Sequence, residues 1–344
     1  MKLRVIRVDL PLKHVFTTSA RSYSVVRTIV VELEQDGLRG HGEVHEDAYY
    51  GAIIESMVEL IEQCNEDIEN YALADTVAFW HRLRPILSSN RFAQSAVDCA
   101  ACDLWGKMRN RPLHKIWGLP IDSLPCSSYS IGLDSLDRMA ERFSEAPDWP
   151  VYRIKLGDSN DVEILEMLRE KTDAPFRVDV NGGWNVNTAI NRLEALERLG
   201  VESIEQPLAP NDWDGMKKLR KAMNQRKINI PIFADESWKS PDDIAKCKDY
   251  FDGINIKLAK CGGLTPARNI ITKAKESGFI LTAANSVESA VGVSAIAQLA
   301  SQFDYMSIDG PLQIEKKVGI GVITENGKII YPDENGTGVR VYFR

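Results

Sequence analysis

The sequence predicts a mixed α/β protein, a closed barrel of parallel strands preceded by an α+β domain, and three observations carry this. At 344 residues the chain is longer than one hydrophobic core usually organises. Up to about Gly118 the pattern is strands first and helices after, as an α+β unit requires. Beyond Pro120 short apolar runs alternate with amphipathic stretches at intervals of about 25 residues, the rhythm of βα units.

Taken in order, Leu3–Leu10 and Val25–Gln35 are β-branched and apolar, and Leu33-Glu-Gln-Asp-Gly37 closes with a turn signal, so a hairpin or meander is expected. Helical spacing begins after Gly51, through Ile53, Ile54, Met57, Val58, Leu60 and Ile61, and returns from Ala93 to Met108. Eight barrel strands are then expected at Ser127–Ile131, Val151–Lys155, Phe176–Val180, Ser203–Glu205, Ile230–Ala234, Gly253–Lys257, Phe279–Ala283 and Tyr305–Ile308. After Pro311 hairpin chemistry reappears, with Asn326-Gly327 as a turn between β-prone residues. The expected organisation is a first domain over 1–118, a barrel over 119–317, and a segment over 318–344 that returns to the first domain.

Composition narrows the function. Hydrophobic residues at 44% and charged residues at 26% are ordinary for a globular protein and leave no support for disorder, collagen or coiled coil. A net charge of -7, with no Lys/Arg stripe, argues against a nucleic-acid partner. No run of about 18 uncharged apolar residues argues against a membrane span, and a cytoplasmic protein is expected. The six cysteines are too sparse for a disulfide framework; Cys99 and Cys102 lie in a helical pattern and are read as core.

The informative charges stand at the ends of the barrel strands: Lys155, Asp179, Glu205, Asp235, Lys257 and Asp309. In a parallel barrel every strand delivers a side chain to the same mouth. Asp179, Glu205 and Asp235 come from successive strands, so three carboxylates would repel unless a cation lay between them. With no His or Cys nearby, all-oxygen ligation favours Mg2+, with Mn2+ as a substitute. Lys155 and Lys257 flank this set, which suits proton exchange at one carbon. An amine acts as a base near neutral pH only if its pKa falls, and Arg153, Lys260 and the divalent ion would each disfavour the ammonium form.

At these residues the sequence resembles the enolase superfamily, in its muconate-lactonizing-enzyme-like subgroup, over nearly the whole chain. The motifs are Tyr152-Arg-Ile-Lys155-Leu-Gly157, Val178-Asp-Val-Asn-Gly-Gly-Trp184, Ile204-Glu-Gln-Pro207, Ala234-Asp-Glu-Ser237 and Asn255-Ile-Lys-Leu-Ala-Lys-Cys-Gly-Gly263. The resemblance implies a modified (β/α)7β barrel under an α+β capping domain. It further implies one Mg2+ per subunit on Asp179, Glu205 and Asp235, with Lys155 and Lys257 as the acid/base pair of an enediolate mechanism. Arg153, Asn181, Glu236, Lys260 and Glu288 would support them, with Glu288 pairing a base lysine. Where the family usually has a lysine this chain has Arg153, which keeps a fixed positive charge beside Lys155.

Within the subgroup the chain is similar to dipeptide epimerases, including the L-Ala-D/L-Glu type, and a homo-oligomer acting on a small carboxylate is expected. Pro11-Leu-Lys-His-Val-Phe-Thr-Thr-Ser-Ala-Arg-Ser22 would be the mobile specificity loop, with Arg21 binding a substrate carboxylate. Ser286 and Val287 after the seventh strand would line the pocket. Ser307 and Asp309 stand where these enzymes usually carry Asp-x-Asp to hold an ammonium group, so one of the two carboxylates is replaced. That replacement keeps open a cycloisomerase, an o-succinylbenzoate synthase-like lyase or an N-acyl amino acid racemase, and more remotely a noncatalytic binding barrel.

Overall fold

The computed structural model describes residues 1–342. An antiparallel meander comes first, β1 (Lys2–Thr17), β2 (Ser22–Gln35) and β3 (Leu38–His45), paired in sequence order. Its inner face, through Ile29, Val31, Leu33 and Val44, packs on helices from residues 54 to 108 in one apolar cluster. The helix Arg91–Met108 lies directly on β3, where a Cβ added to Gly40 or Gly42 would collide with the helix backbone at Ala100 or Ala96.

One expectation for this region changes. The segment expected as a loop, Pro11–Ser22, is mostly strand: β1 runs on to Thr17 past an irregularity between Pro11 and Phe16, and only Thr18–Arg21 turn. Phe16 stacks on Tyr23 across the hairpin and gives the extension an apolar anchor that the polar composition concealed. His41 and His45 are buried residues of β3.

The barrel follows, with β4 (Tyr129–Ile131), β5 (Tyr152–Lys155), β6 (Phe176–Asp179), β7 (Val201–Glu205), β8 (Ile232–Ala234), β9 (Gly253–Asn255), β10 (Ile280–Ala284) and β11 (Tyr305–Ser307). All pair in parallel and in chain order, and a bridge from Ser127 to Met306 joins the last strand back to the first. The largest apolar cluster fills this barrel and the space beneath its helices. Strand ends fall within two residues of expectation.

The remaining chain forms two small pairs, β12 (Gly319–Ile320) with β15 (Arg340–Val341) and the hairpin β13 (Ile323–Glu325) with β14 (Lys328–Ile330). Asn326 and Gly327 both have positive φ, as a two-residue hairpin turn demands. The hairpin touches the barrel's base, where Ser127 N donates to Gly327 O at 2.8 Å. Further on, Thr337 donates from N and Oγ1 to Asp103 Oδ1 at 2.8 and 2.9 Å, and Val339 is buried with Val30 of β2 and Val291. Among the described residues no helix is long and apolar enough to cross a membrane.

Candidate active site

Alternate residues of a strand face the same way, so Arg153 and Lys155 of β5 enter the barrel together. Register then sets the layer: Lys155 pairs with Asp179, and Asp179 with Glu205, across β5, β6 and β7. Asp235 follows the end of β8 and Lys257 the end of β9. From β5 to β9 is four steps around an eight-stranded circuit, so the two lysines rise from opposite walls with the three carboxylates on the arc between them.

The backbone beyond these strands is held in unusual conformations. Asn181 and Gln206 have φ of 47° and 41°, and each is secured by its side chain. Gln206 Oε1 accepts from the backbone N of Asp235 and of Ser237, at 3.1 and 3.0 Å, tying the β7 turn to the β8 turn. Asn181 Oδ1 accepts from Lys155 Nζ at 3.0 Å while its Nδ2 donates to Glu236 Oε1 at 3.0 Å.

Every acid in the cluster has a cationic partner. Lys155 Nζ lies 2.5 Å from Asp179 Oδ2, which Arg153 also contacts. Arg153 Nη2 donates to Glu205 Oε2 at 2.8 Å, and Asn255 Nδ2 to Glu205 Oε1 at 2.7 Å. Asp235 is shared between Lys257 Nζ at 2.6 Å and Lys260 Nζ at 2.7 Å. All but the half-buried Lys257 are buried; Lys260 is sealed beneath Trp238, whereas Lys155 and Lys257 reach a cavity of about 360 Å³.

These surroundings push the two lysines apart. Burial, reinforced by the Arg153 guanidinium, lowers Lys155 despite its bond to Asp179. Burial acts the same way on Lys257, but Asp235, Glu236 and Glu205 outweigh it and raise that ammonium well above its usual range. The two lysines differ in their neighbours: Arg153 stands beside Lys155, whereas three acids face Lys257 and Lys260 lies on the far side of Asp235. Glu236 is pushed up to about 7 by burial and by Asp235 and Asp179. Its Oε2 is buried without a hydrogen-bond partner.

Among the described residues no three His, Cys, Asp or Glu side chains form a finished metal cage. The donor chemistry nevertheless fits a hard divalent cation: Asp179, Glu205 and Asp235 offer only oxygen, from three adjacent strands. Reaching them requires the lysine ammonium groups to swing off Asp179 and Asp235.

Of the other expected residues, Arg21, Ser286, Val287, Asp309, Arg153, Asn181 and Glu236 line the same cavity. Asp309 accepts from Ser130 N at 2.7 Å and Ser130 Oγ at 2.9 Å. Ser307 is not on that wall; it lies behind Ser130, with the two hydroxyls 3.2 Å apart. Glu288 does not pair with a lysine. It accepts from Asn285 Nδ2 at 2.7 Å and faces His45 Nδ1 at 3.6 Å, because the helix that follows it, Ala290–Ala297, packs on β3 of the meander. Sequence reading missed Asn255, which points inward with Lys257 by strand alternation, and that periodicity was the available signal. It also missed Asp47, Tyr23 and Tyr50 on the cavity wall, which only the packing of the meander over the barrel brings there.

Comparison with known proteins agrees along the chain. The mandelate racemase / muconate lactonizing enzyme N-terminal domain model matches residues 1–118, and the enolase C-terminal domain-like model matches residues 135–343. An L-Ala-D/L-amino acid epimerase from Maribacter sp. is 41% identical over 340 residues, covering 98% of this chain and 99% of that protein. Another L-Ala-D/L-amino acid epimerase, from Flavobacterium johnsoniae, is 38% identical over 339 residues, with 98% and 99% covered. The crystal structure of a dipeptide epimerase from Cytophaga hutchinsonii, complexed with Mg and the dipeptide D-Ala-L-Val, superposes with a TM-score of 0.91 at 26% identity, covering 99% of this chain and 95% of that one.

Proposed function

The chain belongs to the mandelate racemase / muconate lactonizing enzyme group of the enolase superfamily, and from that premise we propose that it is a magnesium-dependent dipeptide epimerase, an isomerase that inverts the α-carbon of a dipeptide's C-terminal residue. The observation that carries the reading is the pair of lysines on opposite barrel walls, half a circuit apart, flanking three carboxylates.

An α-carbon lying between Lys155 and Lys257 has one amine on each face. Inversion needs a proton removed from one face and another delivered to the opposite face. Lys155 and Lys257, both reaching the cavity from opposite walls, are the two amines placed to take these roles. The reverse reaction exchanges the roles. Asp179, Glu205 and Asp235 would hold the magnesium, which supplies fixed positive charge against the negative charge that develops on the substrate carboxylate. Arg153 contacts both Asp179 and Glu205 and holds the two carboxylates in place. Asp309, on the cavity wall and raised by burial, is the acceptor for the dipeptide ammonium, whose charge would restore its ionised form. Because Ser307 lies behind Ser130, its replacement of an acid leaves this contact intact. The six unpaired cysteines suit a cytoplasmic enzyme.

The test is deuterium uptake, followed by mass spectrometry, from a dipeptide library and N-succinyl amino acids in D2O. It is run with magnesium and after chelation. Exchange confined to free-amine dipeptides and abolished by chelation is the expected result. Exchange confined to the N-succinyl compounds would overturn the dipeptide assignment.

A further inference from the structure

The capping side of the cavity carries one charged pair for which proton transfer has no use. Arg21 donates from Nη1 and Nη2 to the two carboxylate oxygens of Asp47, at 2.8 and 2.6 Å, the parallel geometry in which a guanidinium and a carboxylate satisfy each other. Asp47 is only 3% exposed, and its Oδ1 also accepts from Tyr49 N at 3.0 Å. Burial alone would raise Asp47, but the bond and charge of Arg21 outweigh it and keep the carboxyl below its ordinary value. Arg21 is fixed a third way by lying over the Tyr23 ring, 5.6 Å from its centroid.

The pair is therefore a formed, neutral unit on the cavity wall. A substrate carboxylate approaching Arg21 must either displace Asp47, stranding a buried charge, or share the guanidinium and sit beside a like charge. A neutral side chain meets neither penalty. The surrounding wall favours such a group: Phe16, Tyr23, Tyr49, Tyr50 and Val287 line the same cavity. A neighbouring hollow of about 210 Å³ shares Arg21, Tyr23 and Val287 and gives a larger side chain somewhere to go.

We infer that Asp47 is a specificity-determining residue, holding Arg21 as a neutral pair so that the enzyme prefers dipeptides whose C-terminal side chain is apolar or aromatic over those in which it is acidic. This rests on the dipeptide reading above. Asp47→Asn keeps an acceptor for Tyr49 N and removes only the charge; Arg21→Met leaves the Asp47 charge uncompensated.

The experiment compares kcat/KM for α-proton exchange on L-Ala-L-Phe, L-Ala-L-Glu and L-Ala-L-Lys, with magnesium, in the unaltered protein and both variants, with melting temperatures as folding controls. The unaltered protein should favour Phe over Glu by at least about tenfold. Asp47→Asn should narrow that ratio by about tenfold through KM for the Glu dipeptide, and Arg21→Met should shift preference toward Lys, each about a 1.4 kcal/mol change. A preference for Glu in the unaltered protein overturns the inference. So do ratios unmoved in both folded variants, with the dipeptide reading left standing. No exchange on any of the three dipeptides overturns the dipeptide reading and this inference together.

Discussion

On the barrel side of the cavity, Lys155, Asp179 and Glu205 stand on neighbouring strands in backbone register, each set by the parallel ladder. On the capping side, Arg21 comes from the turn between β1 and β2 and Asp47 from just beyond β3, and only their own side-chain bond holds them together. The first arrangement fixes atoms by main-chain geometry and tolerates little exchange of residue. The second can be rewritten one side chain at a time without disturbing a strand. Chemistry belongs to the first and choice of substrate to the second.

The sharpest test of that division lies on the barrel side. Lys155→Ala and Lys257→Ala should each lower kcat for epimerisation by about a thousandfold or more, the scale of a lost general acid or base. Steady-state rates set this against the capping substitutions; a fall confined to KM would dissolve the distinction between the halves.

A smaller effect is expected where the halves touch. Ser19 of the capping turn donates to Val180 O at 2.6 Å, and a Cβ added to Gly183 would come within 2.7 Å of the Ser19 Cβ. Gly183→Ala should push the turn off the barrel and raise KM several-fold with less change in kcat, a cost of about 1–3 kcal/mol for overpacking. Ser19→Gly, which removes the Val180 bond without adding bulk, should raise KM in the same direction. If KM is unmoved in both variants, the turn is not what positions the substrate.

The smallest effect concerns stability away from the site. Asp98, fully buried against Thr265 N, is pushed up to about 7 by burial, and its Oδ1 has no partner. The folded protein keeps this proton to a pH where the unfolded chain, with an ordinary carboxyl near pH 4, has released it. Its contribution is fully present below about pH 4 and is lost as pH rises through about 7. Urea midpoints at pH 5 and pH 8 should therefore fall more in the unaltered protein than in Asp98→Asn. Equal falls would assign the pH dependence to other acids.

The barrel side was legible in the sequence because charged residues interrupt apolar runs at strand ends, and the βα rhythm says those ends share one mouth. Arg153, Lys155 and Asp179 meet as their spacing required. The capping side was only half legible. Arg21 could be picked out, but its partner is 26 residues away, just past β3, and is brought to it by the pairing of β2 with β3 inside the meander, which no local pattern encodes. Glu288 failed for the same reason: its partners, Asn285 apart, lie across the interface on β3.

The bond from Thr337 to Asp103, 234 residues apart, and the burial of Val339 beside Val30 tie the helix Arg91–Met108 and the meander to chain made only after the barrel. Val30 then lacks Val291 and Val339 until the barrel strands have been made, a contact of long sequence separation that folding must wait for. Nascent chains stalled before Thr337 should be cut by protease within β1 and β2, where released chains resist; equal resistance would mean the sheet is secure without its final strap.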